Sequence, residues 1–137
     1  MTFNSDEKSK RLNYPSGSKW EELVGYSRVV KVGNIIEVAG TTATDENGSI
    51  VGLNDPYIQT KFILKKIEGY LIKAGASMED VIRTRMFVTD IGHWKEIGKA
   101  HREYFKTIKP AASMLEVSKL IDPELLVEIE VTAITSE

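Results

Sequence analysis

Cysteine is absent from the 137 residues of this chain, which excludes a disulfide framework, a thiol nucleophile and a cysteine-ligated metal. Only two histidines are present, His93 and His101, and their number and spacing argue against a histidine-based zinc site. We therefore expect neither a metal nor another cofactor.

Strong charge of one sign and long apolar runs are also missing. The formal net charge is −2, so the sequence offers no basic face for the phosphates of a nucleic acid. No apolar stretch approaches the roughly 20 residues of a membrane span, and the polar residues 1–10 do not resemble a signal peptide. These features predict a cytoplasmic protein with no nucleic-acid or membrane partner.

Length and composition fit one globular domain, with 42% hydrophobic and 28% charged residues. Residues 1–19 are polar and contain Pro15 and Gly17, which predicts a flexible or irregular N-terminal arm. The folded domain is expected over residues 20–137.

Local signals predict an alternation of strands and helices. Two β-rich stretches, residues 27–32 and 35–39, are separated by Gly33-Asn34, a hairpin signal. A helix follows the Asp55-Pro56 start signal and stops at Gly75. The remaining strand, helix, strand and strand are predicted at residues 81–89, 93–107, 110–117 and 127–133. The resulting order, ββαβαββ, predicts a single α+β domain with a mixed sheet and two helices on one face.

Side-chain alternation predicts what each face of this sheet carries. In the strand at 81–89 one face is expected to hold Ile82, Thr84, Met86 and Val88, and the other Arg83, Arg85 and Phe87. The face without helices is expected to expose Val30, Val38, Phe87 and Met114. Self-association would cover such an apolar patch.

Two C-terminal segments carry a family resemblance: Pro110-Ala111-Ala112-Ser113 and Val127-Glu128-Ile129-Glu130. They resemble the signature of the Rid (YjgF, or reactive intermediate deaminase) family, in which Pro-Ala-Arg-Ser opens one strand and Ile-Glu-Ile-Glu fills the next. Gly25-Tyr26, Gly33-Asn34 and Ala74-Gly75 match in order and spacing, and the resemblance extends from about Trp20 to Ile134. It implies a YjgF, chorismate-mutase-like fold and a homotrimer with a central barrel. A small metabolite would bind in the cleft between subunits.

The resemblance also implies site residues. The glutamate that positions water falls on Glu128 and the pocket tyrosine on Tyr26, whereas the family's serine, asparagine and arginine positions hold Ala39, Gly98 and Ala112. Alanine cannot bind a carboxylate through paired hydrogen bonds, so the usual 2-imino acid deamination is not expected. The residues expected to bind substrate are Tyr26, Arg85, Gly40, Thr41, Ala112 and Met114.

Several roles stay open on the sequence alone. Arg85 is interpreted either as a relocated anion clamp or as half of an interface salt bridge with Glu128 or Glu116. His101 and Glu116 are possible acid–base groups, and equally a packed histidine and a paired acid. The preferred function is a hydrolase or deaminase-like enzyme acting on a small enamine, imine or related metabolite. The alternatives are a non-catalytic metabolite-binding or scaffold trimer and, less favoured, an endoribonuclease or translation inhibitor.

Overall fold

Residues 10–136, which the computed structural model describes, form one mixed sheet with helices packed against it. The strand order is β1-β2-β3-β6-β4-β5, and of these neighbours only β4 and β5 run parallel. In chain order the elements are β1 (Arg11–Tyr14), α1 (Lys19–Val24), β2 (Val29–Val32), β3 (Ile35–Thr42), α2 (Pro56–Lys73), β4 (Val81–Val88), α3 (Trp94–Phe105), β5 (Ala111–Glu116) and β6 (Val127–Ile134).

Helix α2 confirms the start and stop signals of the sequence. The Asp55 carboxylate accepts a hydrogen bond from the Ile58 amide at 3.0 Å, and Pro56 opens the helix, where no amide donor is needed. At the other end Gly75 adopts a φ of 85°, and the Ala76 amide returns to the Leu71 carbonyl at 2.8 Å. This closure satisfies carbonyls that the helix leaves without partners.

The core lies between the sheet and the helices, and it confirms the predicted α+β class. The inward side chains of β6 alternate strictly, and all of them are fully buried: Val127, Ile129, Val131 and Ala133. Helix α2 supplies the matching apolar stripe: Ile63, Leu64, Ile67 and Leu71. No helix in the described part of the chain is long and apolar enough to cross a membrane.

A register shift corrects the predicted alternation of β4. Val81 and Thr84 both face the core, because the pairing with β6 slips between Val81 and Arg83. Ile82 therefore lies 48% exposed instead of joining the inward set. Beyond the shift the prediction holds: Met86 and Val88 are buried, and Arg85 and Phe87 lie on the opposite face.

Two residues predicted on the helix-free face belong to the other face. Val38 is only 2% exposed, because it pairs with buried Val29 and shares the inward side of β3. Met114 aligns with buried Met86 in the parallel β4–β5 pair and packs against the core. Leu115 takes its place on the helix-free face, alongside Phe87.

The N-terminal region is more ordered than the sequence predicts. Residues 1–9 of the expected arm lie outside the described residues, but Arg11–Tyr14 forms β1 and pairs with β2 at the edge of the sheet. Helix α1 then begins at Lys19, with the Ser18 hydroxyl accepting from the Trp20 amide. In α3, Phe105 is buried and Trp94 is 55% exposed.

Candidate functional site

A cleft of about 1340 Å³ opens where several parts of the chain meet. Its walls come from the α1 region, the residues between α1 and β2, the second half of β3, the loop that follows β3, α2, and the loop before β6. Glu128 of β6 also lines the cleft. The groups with acid, base or donor chemistry in this cleft include Tyr26, Arg28, Lys66, Tyr70 and Glu128.

The carboxylate of Glu128 rests against the backbone of Gly40. The β3–β6 pairing shifts between Val38 and Thr41, and this bulge brings Gly40 beneath the acid. A Cβ added to Gly40 would lie 2.9 Å from Glu128 Cδ and closer still to Oε2. A side chain at position 40 would therefore displace the Glu128 carboxylate.

Glu128 has no hydrogen-bond donor or ion-pair partner among the described residues, although it is partly buried. Burial raises the pKa of the Glu128 carboxyl above its usual range; nearby Arg28 opposes the shift and Glu130 adds to it. A partly buried acid with a raised pKa can hold and release a proton closer to neutral pH than an ordinary glutamate.

Arg28 is the cation next to this acid, and it is only 8% exposed. Its Nη1 donates to the Gly40 carbonyl at 2.8 Å and to the Thr41 hydroxyl at 3.0 Å. Its Nη2 makes a single long bond of 3.4 Å, to the Tyr26 hydroxyl, and Nε lies buried 3.9 Å from Glu21 without a hydrogen bond. The guanidinium thus holds the bulge in place, and Nη2 keeps donor capacity to spare.

Lys66 provides a second amine from α2. Its Nζ donates to the carbonyls of Thr42 at 2.9 Å and Thr44 at 2.8 Å. Burial, followed by the positive charge of Arg28, lowers the pKa of Lys66 to about 8, against an opposing effect of Asp45. Neither Arg28 nor Lys66 was among the site residues predicted from the sequence. An arginine placed directly before the apolar strand run was the one signal that pointed to Arg28.

Of the residues that the sequence singled out, four come together here. Tyr26, Gly40 and Glu128 line the cleft. Thr41 lies next to it but is fully buried, and its hydroxyl donates to the Ala39 carbonyl at 2.8 Å while accepting from Arg28. Thr41 therefore supports the bulge in this structure.

Within one chain Arg85 is paired with a third acid. Its Nη1 lies 3.7 Å from Glu130, directly across the β4–β6 pair. Glu128 stands opposite Phe87, two residues farther along β4, and Glu116 accepts a hydrogen bond from the Ile91 amide at 3.0 Å. An interface pairing of Arg85 with Glu128 or Glu116 of a neighbouring subunit stays a prediction.

The remaining candidates lie apart from the cleft within one chain. His101 Nε2 is 2.9 Å from the buried Thr84 hydroxyl, and burial lowers the pKa of His101. It borders a separate depression of about 490 Å³ at the end of α3. Ala112 is exposed on β5 at the sheet edge, and Met114 packs inward as described above.

Fold and cleft together define a class: a small α+β protein whose mixed sheet is covered on one side and whose polar cleft holds a carboxylate and two cationic side chains. The family model described as Endoribonuclease L-PSP matches residues 17–135. The chain therefore belongs to this family, which is the Rid or YjgF family that the C-terminal segments resemble.

Individual relatives agree with this assignment. The chain is 32% identical over 120 residues to 3-aminoacrylate deaminase RutC of Acinetobacter baylyi, covering 88% of this chain and 94% of the relative. It is 38% identical over 109 residues to a RutC family protein of Pyrococcus abyssi, covering 79% and 84%. The crystal structure of Rv2704, a YjgF-family protein of Mycobacterium tuberculosis, superposes with a TM-score of 0.83 at 45% identity, covering 92% of this chain and all of the other.

Proposed function

We propose that this chain is a Rid-type hydrolase that deaminates a small enamine or imine bearing a carboxylate, and that it is not a 2-imino acid deaminase of the usual kind. One observation carries the proposal: the partly buried Glu128 carboxylate lies against Gly40 in an open cleft, without a protein partner in the described chain. Acids in such surroundings are typical of sites that transfer protons.

The proposed reaction is the hydrolysis of a carbon–nitrogen double bond. An enamine first takes a proton on carbon and loses one from nitrogen, and so becomes an imine. Water held by Glu128 then adds to the imine carbon, its proton passing through the carboxylate to nitrogen. Collapse of the carbinolamine forms the carbonyl and releases ammonia. Each step asks Glu128 to accept or return one proton, which suits an acid whose pKa is raised by burial.

Arg28 and Tyr26 are the proposed anchors for the substrate carboxylate. Arg28 Nη2 has donor capacity to spare and lies 3.4 Å from the Tyr26 hydroxyl, so one oxygen could accept from both groups. Arg85 is engaged with Glu130, and Arg28 is thus the better-supported replacement for the arginine missing at position 112. His101 and Glu116 have no assigned part in this mechanism.

The relative named 3-aminoacrylate deaminase supports the choice of substrate class. 3-Aminoacrylate is a small enamine with a carboxylate, and its hydrolysis would give a semialdehyde and ammonia. An endoribonuclease activity, which the family description names, gains no support from a chain of net charge −2.

We further propose that the active form is a homotrimer, with the helix-free sheet faces forming a central barrel and the cleft completed by a neighbouring subunit. The exposed apolar side chains on that face and along its end support this assembly: Val32, Ile35, Leu115 and Ile134. In the trimer Ala112 and Arg85 would approach a neighbour's cleft. The ligand would be a small metabolite.

The deciding experiment measures ammonia release above the uncatalysed rate from 3-aminoacrylate, 2-iminobutyrate and 2-iminopropionate. We expect turnover of 3-aminoacrylate, little or none of the two 2-imino acids, and a drop of about 10²–10⁴-fold for Glu128→Gln. Turnover of the 2-imino acids at the rate of 3-aminoacrylate would refute the proposed selectivity. Binding of a small carboxylate without turnover of any of the three would favour the alternative, a metabolite-binding trimer.

A further inference from the structure

We propose that Lys66 is a carbonyl-reactive amine that forms a Schiff base with a small aldehyde or 2-oxo acid entering the cleft. The inference uses the cleft of the proposed function but not its Glu128-held water, so the two proposals can fail separately. Lys66 lies on α2, and no ion pair joins it to a carboxylate within residues 10–136.

The hydrogen bonds of Lys66 hold its nitrogen in a geometry that suits attack on a carbonyl. The carbonyls of Thr42 and Thr44 take two of the nitrogen's donors. A neutral amine has two N–H donors and one lone pair, so it can satisfy both carbonyls and keep the lone pair free. The charged ammonium would place a third proton at that position instead. Losing a proton therefore costs the chain neither of these two bonds.

The surroundings favour the neutral amine. Burial and the positive charge of neighbouring Arg28 both disfavour the ammonium, and they outweigh Asp45 and the ring of Phe62, 5.8 Å from Nζ, which attract a cation. The other charged or titratable groups that line the cleft include Lys19, Lys65, Asp45, Glu46, Tyr26, Tyr70, Asp122 and Glu128. With its pKa lowered to about 8, Lys66 is about half neutral at pH 8. An ordinary lysine is neutral in less than about one molecule in a hundred at that pH.

The covalent step is balanced without any outside oxidant or reductant. The lone pair of Lys66 forms a bond to the carbonyl carbon, giving a carbinolamine. Both amine protons then leave with the former carbonyl oxygen as water, and the carbon–nitrogen double bond remains. Glu128, in the same cleft, is available to relay one of these protons from nitrogen to the departing oxygen. The deamination proposed above produces a carbonyl compound in this cleft, so a reactant of the right class would be at hand.

Reductive trapping tests the inference directly. Full-length protein is incubated with glyoxylate and sodium cyanoborohydride, which reduces a Schiff base to a stable secondary amine, and peptides are mapped by mass spectrometry. We expect Lys66 to be labelled at least about tenfold faster than the exposed neighbour Lys65 at pH 8. The rate at Lys66 should fall steeply as the pH is lowered from 8 to 6. Equal labelling of the two lysines, or labelling of Lys65 alone, would overturn the inference.

Two matched variants complete the test. Lys66→Arg keeps donors for both carbonyls but has no nucleophilic amine, and it should abolish labelling at position 66, leaving only the slower labelling of Lys61, Lys65 and Lys73 within residues 57–75. Lys65→Arg should leave labelling of Lys66 unchanged. If ammonia release from 3-aminoacrylate is normal while wild-type Lys66 resists trapping, the Lys66 proposal is wrong and the hydrolase proposal stands. The labelling pattern of the wild-type protein can overturn the inference by itself, so the test does not depend on whether the variants fold.

Discussion

Replacing Gly40 by alanine tests the position of the Glu128 carboxylate with the smallest possible change. The backbone of Gly40 is not in the left-handed region that favours glycine, so alanine adds no backbone strain. The new methyl group would lie 2.9 Å from Glu128 Cδ, closer than side-chain carbons are found to approach, and nearer still to Oε2. The displaced atoms are the end of a flexible side chain, and we expect the acid to move while the fold persists.

The magnitude follows from that displacement. Restoring an ordinary contact requires the carboxylate to shift by on the order of 1 Å, and a misplacement of that size costs roughly 10²-fold in rate. We therefore expect Gly40→Ala to reduce kcat for ammonia release from 3-aminoacrylate by about 100-fold, with a much smaller effect on the thermal midpoint.

Gly69→Ala is the matched control. Gly69 lies in α2, and a Cβ there meets no other atom within 4 Å. Alanine should stabilise the helix by about 1 kcal/mol and leave the rate unchanged. A Gly40→Ala protein with wild-type kcat would refute the idea that the carboxylate must lie against this backbone. Equal losses of rate in both variants would point to a general effect on folding.

Three further predictions concern stability and assembly. The raised pKa of Glu128 means that its contribution to stability is complete below the unfolded-state pKa and is lost as pH rises through the folded-state pKa. Glu128→Gln should therefore raise the thermal midpoint at pH 7–8 relative to wild type and lose that advantage near pH 4; an unchanged midpoint at pH 8 would contradict this. Arg28→Lys loses the forked donor set of the guanidinium, and urea unfolding should show a free energy of unfolding lower by about 1.5–3 kcal/mol. A decrease below about 0.5 kcal/mol would mean that these hydrogen bonds contribute little to stability. Sedimentation at micromolar concentration should give three times the chain mass, with interfaces of roughly 1,200 Å² or more per pair, and a monomer would rule out the shared cleft.

The sequence predicted the elements whose signals are local. The Asp55-Pro56 start and the Gly75 stop define α2 without reference to the rest of the chain, and strict alternation defines β6. The predictions failed where the pairing between strands determines which face a side chain occupies. The register shift between Val81 and Arg83 turns Ile82 away from the core, and this shift depends on the pairing of β4 with β6, which the sequence of β4 does not show.

The candidate site shows the same division. Glu128, Tyr26 and Gly40 were predicted from their places in the family pattern, but Lys66 and Arg28 were not. Periodicity assigns Lys66 to α2, yet its amine donates to the carbonyls of Thr42 and Thr44, which lie at the end of β3 and in the loop after it. Long side chains place their polar ends well away from their Cα atoms, so a one-dimensional pattern cannot say what they reach.

The contacts that Arg28 makes explain why the Glu128 carboxylate in the cleft can still take up a proton. A direct ion pair with Arg28 would hold Glu128 ionised and stabilise the fold. Instead Arg28 Nη1 donates hydrogen bonds to the Gly40 carbonyl and the Thr41 hydroxyl, and no ion pair joins Arg28 to Glu128 within the described chain. The cation therefore secures the bulge that positions the acid, but it does not neutralise the acid. Leaving a carboxylate partly desolvated and unpaired costs stability, and this arrangement fits the proton exchange that the proposed hydrolysis requires of Glu128.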